Sequence, residues 1–154
     1  MLSLLACIRE DVPSSDDFAL KEGDPLPLFS ISNHKEAVST GDLKNKFVLV
    51  IFFSTTCKDC RQAFPAISTL YNHYKDNPSI RLLLIARDET EEQVAAYFRE
   101  QDYDMDYFAD PQRKVYSLFA DATIPRVFLA DRTGTIILTQ TEEVNTEEIR
   151  AKVY

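Results

Sequence analysis

The 154-residue chain has no tryptophan, two histidines and only three cysteines, and no stretch approaches the roughly 20 apolar residues a membrane-spanning helix needs. Three cysteines are too few for a disulfide framework, and at this length one domain can build a substantial core without staples. Structural zinc usually takes four ligands. One close cysteine pair supplies two of them, and Cys7, His34 and His73 are scattered in sequence and form no second pair. Basic residues are outnumbered 17 to 25, for a net charge of −8, which argues against a nucleic-acid surface and for an acidic soluble protein.

What the chain does have is concentrated between Phe47 and Pro65. Phe47-Val48-Leu49-Val50-Ile51-Phe52-Phe53 is an unbroken apolar run with no polar alternation, the pattern of a strand buried on both faces. Ser54-Thr55-Thr56 turns the chain, and Cys57-Lys58-Asp59-Cys60 opens a helical pattern with Phe64, Ile67, Tyr71 and Tyr74 on its apolar positions. The cysteine pair therefore stands at a strand-to-helix junction. Free backbone N–H groups at a helix N-terminus favour thiolate over thiol, so Cys57 is the expected nucleophile. Cys60, one turn on along the same face, is placed to resolve a mixed disulfide at Cys57. Lys58 and Asp59 imply an exposed turn, which speaks against two inert core thiols.

Around this centre the chain reads in order. Residues 8–24 are rich in charge, serine and proline and read as a linker, with the domain expected from Pro25 onward. Residues 29–38 suggest a short hairpin, and Thr40-Gly41-Asp42-Leu43 a turn. Residues 80–86 make a second buried strand, so strand, helix and strand form a right-handed parallel crossover. Thr90-Glu91-Glu92-Gln93 is a capping-box sequence opening a helix to about Gln101. Tyr107-Phe108-Ala109 is extended, and Asp110-Pro111 predicts another helix start, with Val115, Leu118 and Phe119 inward. Val127 to Ala130, the turn at residues 131–134 and Thr135 to Thr139 predict an antiparallel hairpin, and residues 146–153 a last short helix.

At the N-terminus, Leu4-Leu5-Ala6-Cys7 resembles the end of a bacterial lipoprotein signal, which would make Cys7 a lipidated anchor and the following polar residues a tether. The stretch lacks a basic start and the roughly 7–15 apolar residues of a signal core, so a solitary terminal thiol is the alternative.

The ordered set of residues 43–46, the apolar strand, CxxC with Pro65 in the following helix, Ile124-Pro125 and the late Asp131-Arg132-Thr133-Gly134 turn resembles the thioredoxin-fold thiol-disulfide oxidoreductases, and most closely their TlpA/ResA-like extracytoplasmic branch. The likeness spans about Pro25 to Thr139. It implies an α/β, thioredoxin-like three-layer sandwich, with a mixed central sheet, helices on both faces and an N-terminal hairpin extension. It also implies a cis Pro125 facing the cysteines, with the backbone of Ile124 open to an extended substrate segment. Thr56, Ile124, Pro125 and Arg126 are then the expected substrate-binding residues. Arg126 would favour thiolate or an acidic partner, unless it is simply a solvated surface arginine.

Two departures from the family pattern stand out: Thr56 occupies the position where tryptophan is common, and Ala63 the position where a proton-moving carboxylate stands in several members. The implied activity is thiol-disulfide exchange on protein substrates, as a reductase in the periplasm or cell envelope fed by a membrane electron donor. No cofactor beyond the dithiol is implied, and a cytoplasmic site stays open. The alternatives are a thiol peroxidase, since residues 54–57 satisfy the Thr/Ser-x-x-Cys part of a peroxiredoxin site, and a binding module that kept the fold without turnover.

Overall fold

The structure, a computed structural model, describes residues 18–154. Cys7 and the lipid-anchor reading lie outside the described residues.

The apolar run forms β3 (Phe47–Phe53), in which every residue is buried. A strand with no polar face belongs in the middle of a sheet covered on both sides, and β3 is the centre of a five-stranded one. β4 (Ile80–Arg87) and β5 (Phe108–Asp110) run parallel to it on one flank. β6 (Arg126–Ala130) pairs antiparallel on the other, followed by β7 (Ile136–Thr141), giving the order β5-β4-β3-β6-β7. The β6–β7 turn closes at Gly134, whose φ of 81° suits glycine. A separate hairpin of β1 (Ser30–Ser32) and β2 (Ala37–Ser39) precedes the sheet, where the sequence predicts it.

The two faces of β3 are covered differently. Phe53 meets Phe64 of α1 (Lys58–Tyr74) and Phe98 of α2 (Glu91–Gln101), with ring centroids 5.3 and 6.1 Å apart. α3 (Thr146–Lys152) packs against α1, and its Ile149 is fully buried. On the opposite face Phe52 meets Tyr116 and Phe119, each at 5.1 Å. The expected three-layer sandwich is present, but Tyr116–Leu118 forms a 3-10 turn on this face where the sequence predicts a helix from Asp110-Pro111. The cause is the Asp110 side chain. Instead of capping a helix at Pro111, the buried carboxylate accepts from Val115 N at 3.1 Å and Tyr116 N at 2.8 Å, and Leu118 is left 40% exposed.

The boundary expected at Pro25 also shifts upstream. Leu20 N donates to Phe119 O and Gly23 N to Ile136 O, both at 2.8 Å, so residues 18–24 are tied to the domain they were expected to tether. The capping box forms as the sequence predicts, with Thr90 N donating to Gln93 Oε1 at 2.8 Å and α2 ending on the left-handed Asp102.

Candidate active site

Cys57 is the N-cap of α1, and its sulfur accepts from the Cys60 N–H at 3.2 Å. The first turn of the helix thus presents one of its unpaired backbone donors to the sulfur expected to carry charge. Both cysteines are free thiols; Cys57 is half-buried and Cys60 fully buried. Burial pushes the Cys60 thiol well up. The contact with Cys57 adds to the rise, while a backbone bond at Ser54 and the charge of Arg87 oppose it. The pair is therefore asymmetric: one sulfur meets solvent and the helix N-terminus, the other is held as a thiol beneath it.

Across from Cys57 lies the loop before β6. The Ile124-Pro125 bond is cis, and the Cys57 thiol donates to Ile124 O at 3.7 Å. Thr123 takes a φ of 74°, uncommon outside glycine, and two donors hold it there: Tyr116 Oη to Thr123 O at 2.7 Å and Arg126 Nε to the same oxygen at 3.2 Å. Arg126 also donates to Ala122 O at 2.9 Å and to Thr141 Oγ1 at 3.2 Å, and it is only 3% exposed. Arg126 is therefore not the solvated surface arginine of the alternative reading, because its buried guanidinium is engaged with the loop's own carbonyls. Thr56 is exposed beside Cys57, and its hydroxyl bonds to Ser54 Oγ at 2.9 Å. The Ser54 hydroxyl also accepts from Thr56 N at 3.2 Å.

A cavity of about 330 Å³ opens beside Cys57 and Ile124, lined also by Arg87, Glu89 and Gln93. Sequence reasoning passed over these residues as the end of a strand and the start of a helix. The available signal was their position, a charged Arg87-Asp88-Glu89 run at the carboxyl end of a buried parallel strand, the edge of an α/β sheet where ligands gather. Glu89 is 5% exposed and takes two hydrogen bonds from Thr55, one from its N–H at 2.6 Å and one from its hydroxyl. Arg87 lies over the Tyr116 ring at 4.8 Å. Ala63 is buried in α1 and, as expected, offers no proton-transfer group.

A family model described as Redoxin matches residues 21–153. Thiol-disulfide oxidoreductase ResA of Bacillus cereus is 26% identical over 124 residues, covering 80% of this chain and 71% of that protein. Thioredoxin-like protein YneN of Bacillus subtilis is 28% identical over 125 residues, covering 80% and 73%. The solution structure of a Bacteroides thetaiotaomicron protein, assigned as a protein disulfide isomerase, superposes with a TM-score of 0.77 at 28% identity and covers 86% of each chain.

Proposed function

The chain belongs to the Redoxin family and is a TlpA/ResA-like, thioredoxin-fold thiol-disulfide oxidoreductase, and from that premise we propose that it reduces disulfides in protein substrates outside the cytoplasm. The observation that carries the reading is the placement of Cys57, with its sulfur at the N-terminus of α1, 3.2 Å from Cys60 N and 3.7 Å from the carbonyl before the cis proline.

In the reaction the Cys57 thiolate attacks one sulfur of a substrate disulfide. The other substrate sulfur leaves as a thiolate and takes a proton from solvent, and a Cys57–substrate mixed disulfide remains. Cys60 gives up its proton and attacks Cys57, releasing the second substrate thiol and leaving a Cys57–Cys60 disulfide. Two electrons from a dithiol donor reset the pair, and we assign that donor to a membrane partner. The electron pair needs no carrier beyond the two sulfurs. An extended substrate segment would lie along Ile124 and Pro125 with Thr56 at its edge, bound through backbone groups and with little demand on sequence. Anchoring through a lipidated Cys7 is part of the same proposal.

The test is a trap. In a Cys7→Ser background, Cys60→Ala incubated with a peptide disulfide should accumulate a mixed disulfide at Cys57 visible as one added peptide mass, and Cys57→Ala should show none. Absence of the adduct in Cys60→Ala would overturn the reading.

A further inference from the structure

The turn that delivers Cys57 is held from outside by two charged side chains. All three polar groups of Thr55, itself 5% exposed, are engaged. Its N–H donates to Glu89 Oε1 at 2.6 Å, its hydroxyl donates to Glu89 Oε2, and its carbonyl accepts from Arg61 Nε at 2.6 Å. Arg61 in turn lies over the Tyr97 ring at 5.4 Å. On either side of Thr55, the hydroxyls of Ser54 and Thr56 bond to each other, and Ser54 Oγ accepts from Thr56 N at 3.2 Å. The chain between β3 and α1 is thus fixed at Thr55, two residues before the sulfur, by a carboxylate at the end of β4 and a guanidinium on α1.

We propose that Glu89 is a positioning residue for Cys57, acting through Thr55 to keep the sulfur on the N–H groups at the start of α1. The proposal rests on Cys57 being the attacking thiol. Two Thr55 donors occupy both Glu89 oxygens, one each, which suits a fixed hold rather than proton exchange with the cysteines. The geometry also separates the hold from a bare charge effect. A carboxylate near Cys57 opposes thiolate formation, so removing its charge alone would make the sulfur more reactive. Removing the hold lets the turn relax, draws the sulfur off the Cys60 N–H and makes it less reactive. The two effects have opposite signs. Glutamine can preserve the hold without charge, its carbonyl accepting from Thr55 N and its amide donating to Thr55 Oγ.

The experiment follows alkylation of Cys57 by iodoacetamide in the fully reduced protein as a function of pH, read by mass on the tryptic peptide that ends at Lys58 and carries Cys57 alone. Glu89→Ala should react about tenfold more slowly at neutral pH, with its profile displaced to higher pH, since small misplacements of a reacting atom cost of this order. Glu89→Gln should recover most of the wild-type rate. Faster alkylation in both variants would show that only the charge matters, and unchanged alkylation in both would reduce Glu89 to a structural bolt; either result overturns the proposal. If Glu89→Ala does not fold, Thr55→Val removes the hydroxyl bond alone and should slow alkylation about threefold, the size of one modest hydrogen bond. A wild-type rate in Thr55→Val would then refute the hold. Because the readout is Cys57 reactivity and not turnover, failure of the wild type to form a Cys57–Cys60 disulfide would refute the exchange reading and leave this test standing.

Discussion

Tyr116→Phe isolates one hydrogen bond beneath the loop that faces Cys57. The ring is fully buried, edge-on to Phe52 at 5.1 Å and under Arg87 at 4.8 Å, and phenylalanine keeps that packing. Only the hydroxyl is lost, with its 2.7 Å bond to Thr123 O. That carbonyl is not orphaned, because Arg126 Nε still donates to it at 3.2 Å. The cost is then that of an ordinary net hydrogen bond, about 1 kcal/mol, rather than that of an unsatisfied buried acceptor. At this chain length the melting temperature should fall by about 2–4 °C. Thr123 sits at a positive φ that costs about 1–3 kcal/mol and persists only while its surroundings enforce it. Weakening one of its two restraints should broaden the position of Ile124 against Cys57 and slow disulfide exchange about two- to tenfold. Urea unfolding and the initial rate of reduction of a peptide disulfide read the two effects. A wild-type exchange rate combined with the expected loss of stability would refute the link between this bond and the site, and an unchanged unfolding midpoint would refute the bond itself.

Phe64→Ala should be far more costly, because the ring is fully buried and meets Phe53, Phe98, Tyr97 and Tyr103 at 5.2–5.7 Å. The loss should be about 3–5 kcal/mol by urea unfolding, and a loss near 1 kcal/mol would show that the aromatic cluster can collapse around the gap. Acid should destabilise the protein partly through Asp88. Two-pronged hydrogen bonding from Arg113, at 2.6–2.9 Å, holds the Asp88 carboxyl below the usual carboxylate range. A depressed folded-state value means the contribution is complete above the unfolded value of about 3.9 and is lost as pH falls through the folded one. The pair is largely solvent-exposed, so the effect is small. Asp88→Asn should lower stability slightly at neutral pH, where the pair's contribution is complete, and flatten the fall below about pH 4, and an unchanged acid limb would refute the assignment.

The centre of the molecule was legible because its signals are local and strong. Seven apolar residues in a row have no place but mid-sheet, and a cysteine pair between that strand and an amphipathic pattern has no place but the helix start. The Thr90 capping box likewise needs only its own residues. What escaped depends on contacts across the fold. Asp110-Pro111 carries a sound local helix start, overridden because the Asp110 carboxylate turns inward to the Val115 and Tyr116 N–H groups. Arg126 reads as a surface charge until carbonyls at residues 122 and 123 and the Thr141 hydroxyl close around it. Residues 18–24 have a linker's composition, yet backbone hydrogen bonds hold them to Phe119 and Ile136, and such bonds leave no trace in side-chain pattern. Glu89 escaped for the same reason, since its partner lies 34 residues away.

The central claim is tested most directly by equilibrating the protein in a graded series of thiol–disulfide buffers, then alkylating it and reading the Cys57/Cys60 pair by mass. The account expects a reversible two-electron disulfide between these two residues with a potential near the reductant figure of about −270 mV rather than the oxidant figure of about −120 mV. A potential near the oxidant figure would reverse the proposed direction of electron flow, and the absence of any reversible Cys57–Cys60 disulfide would contradict the exchange mechanism itself.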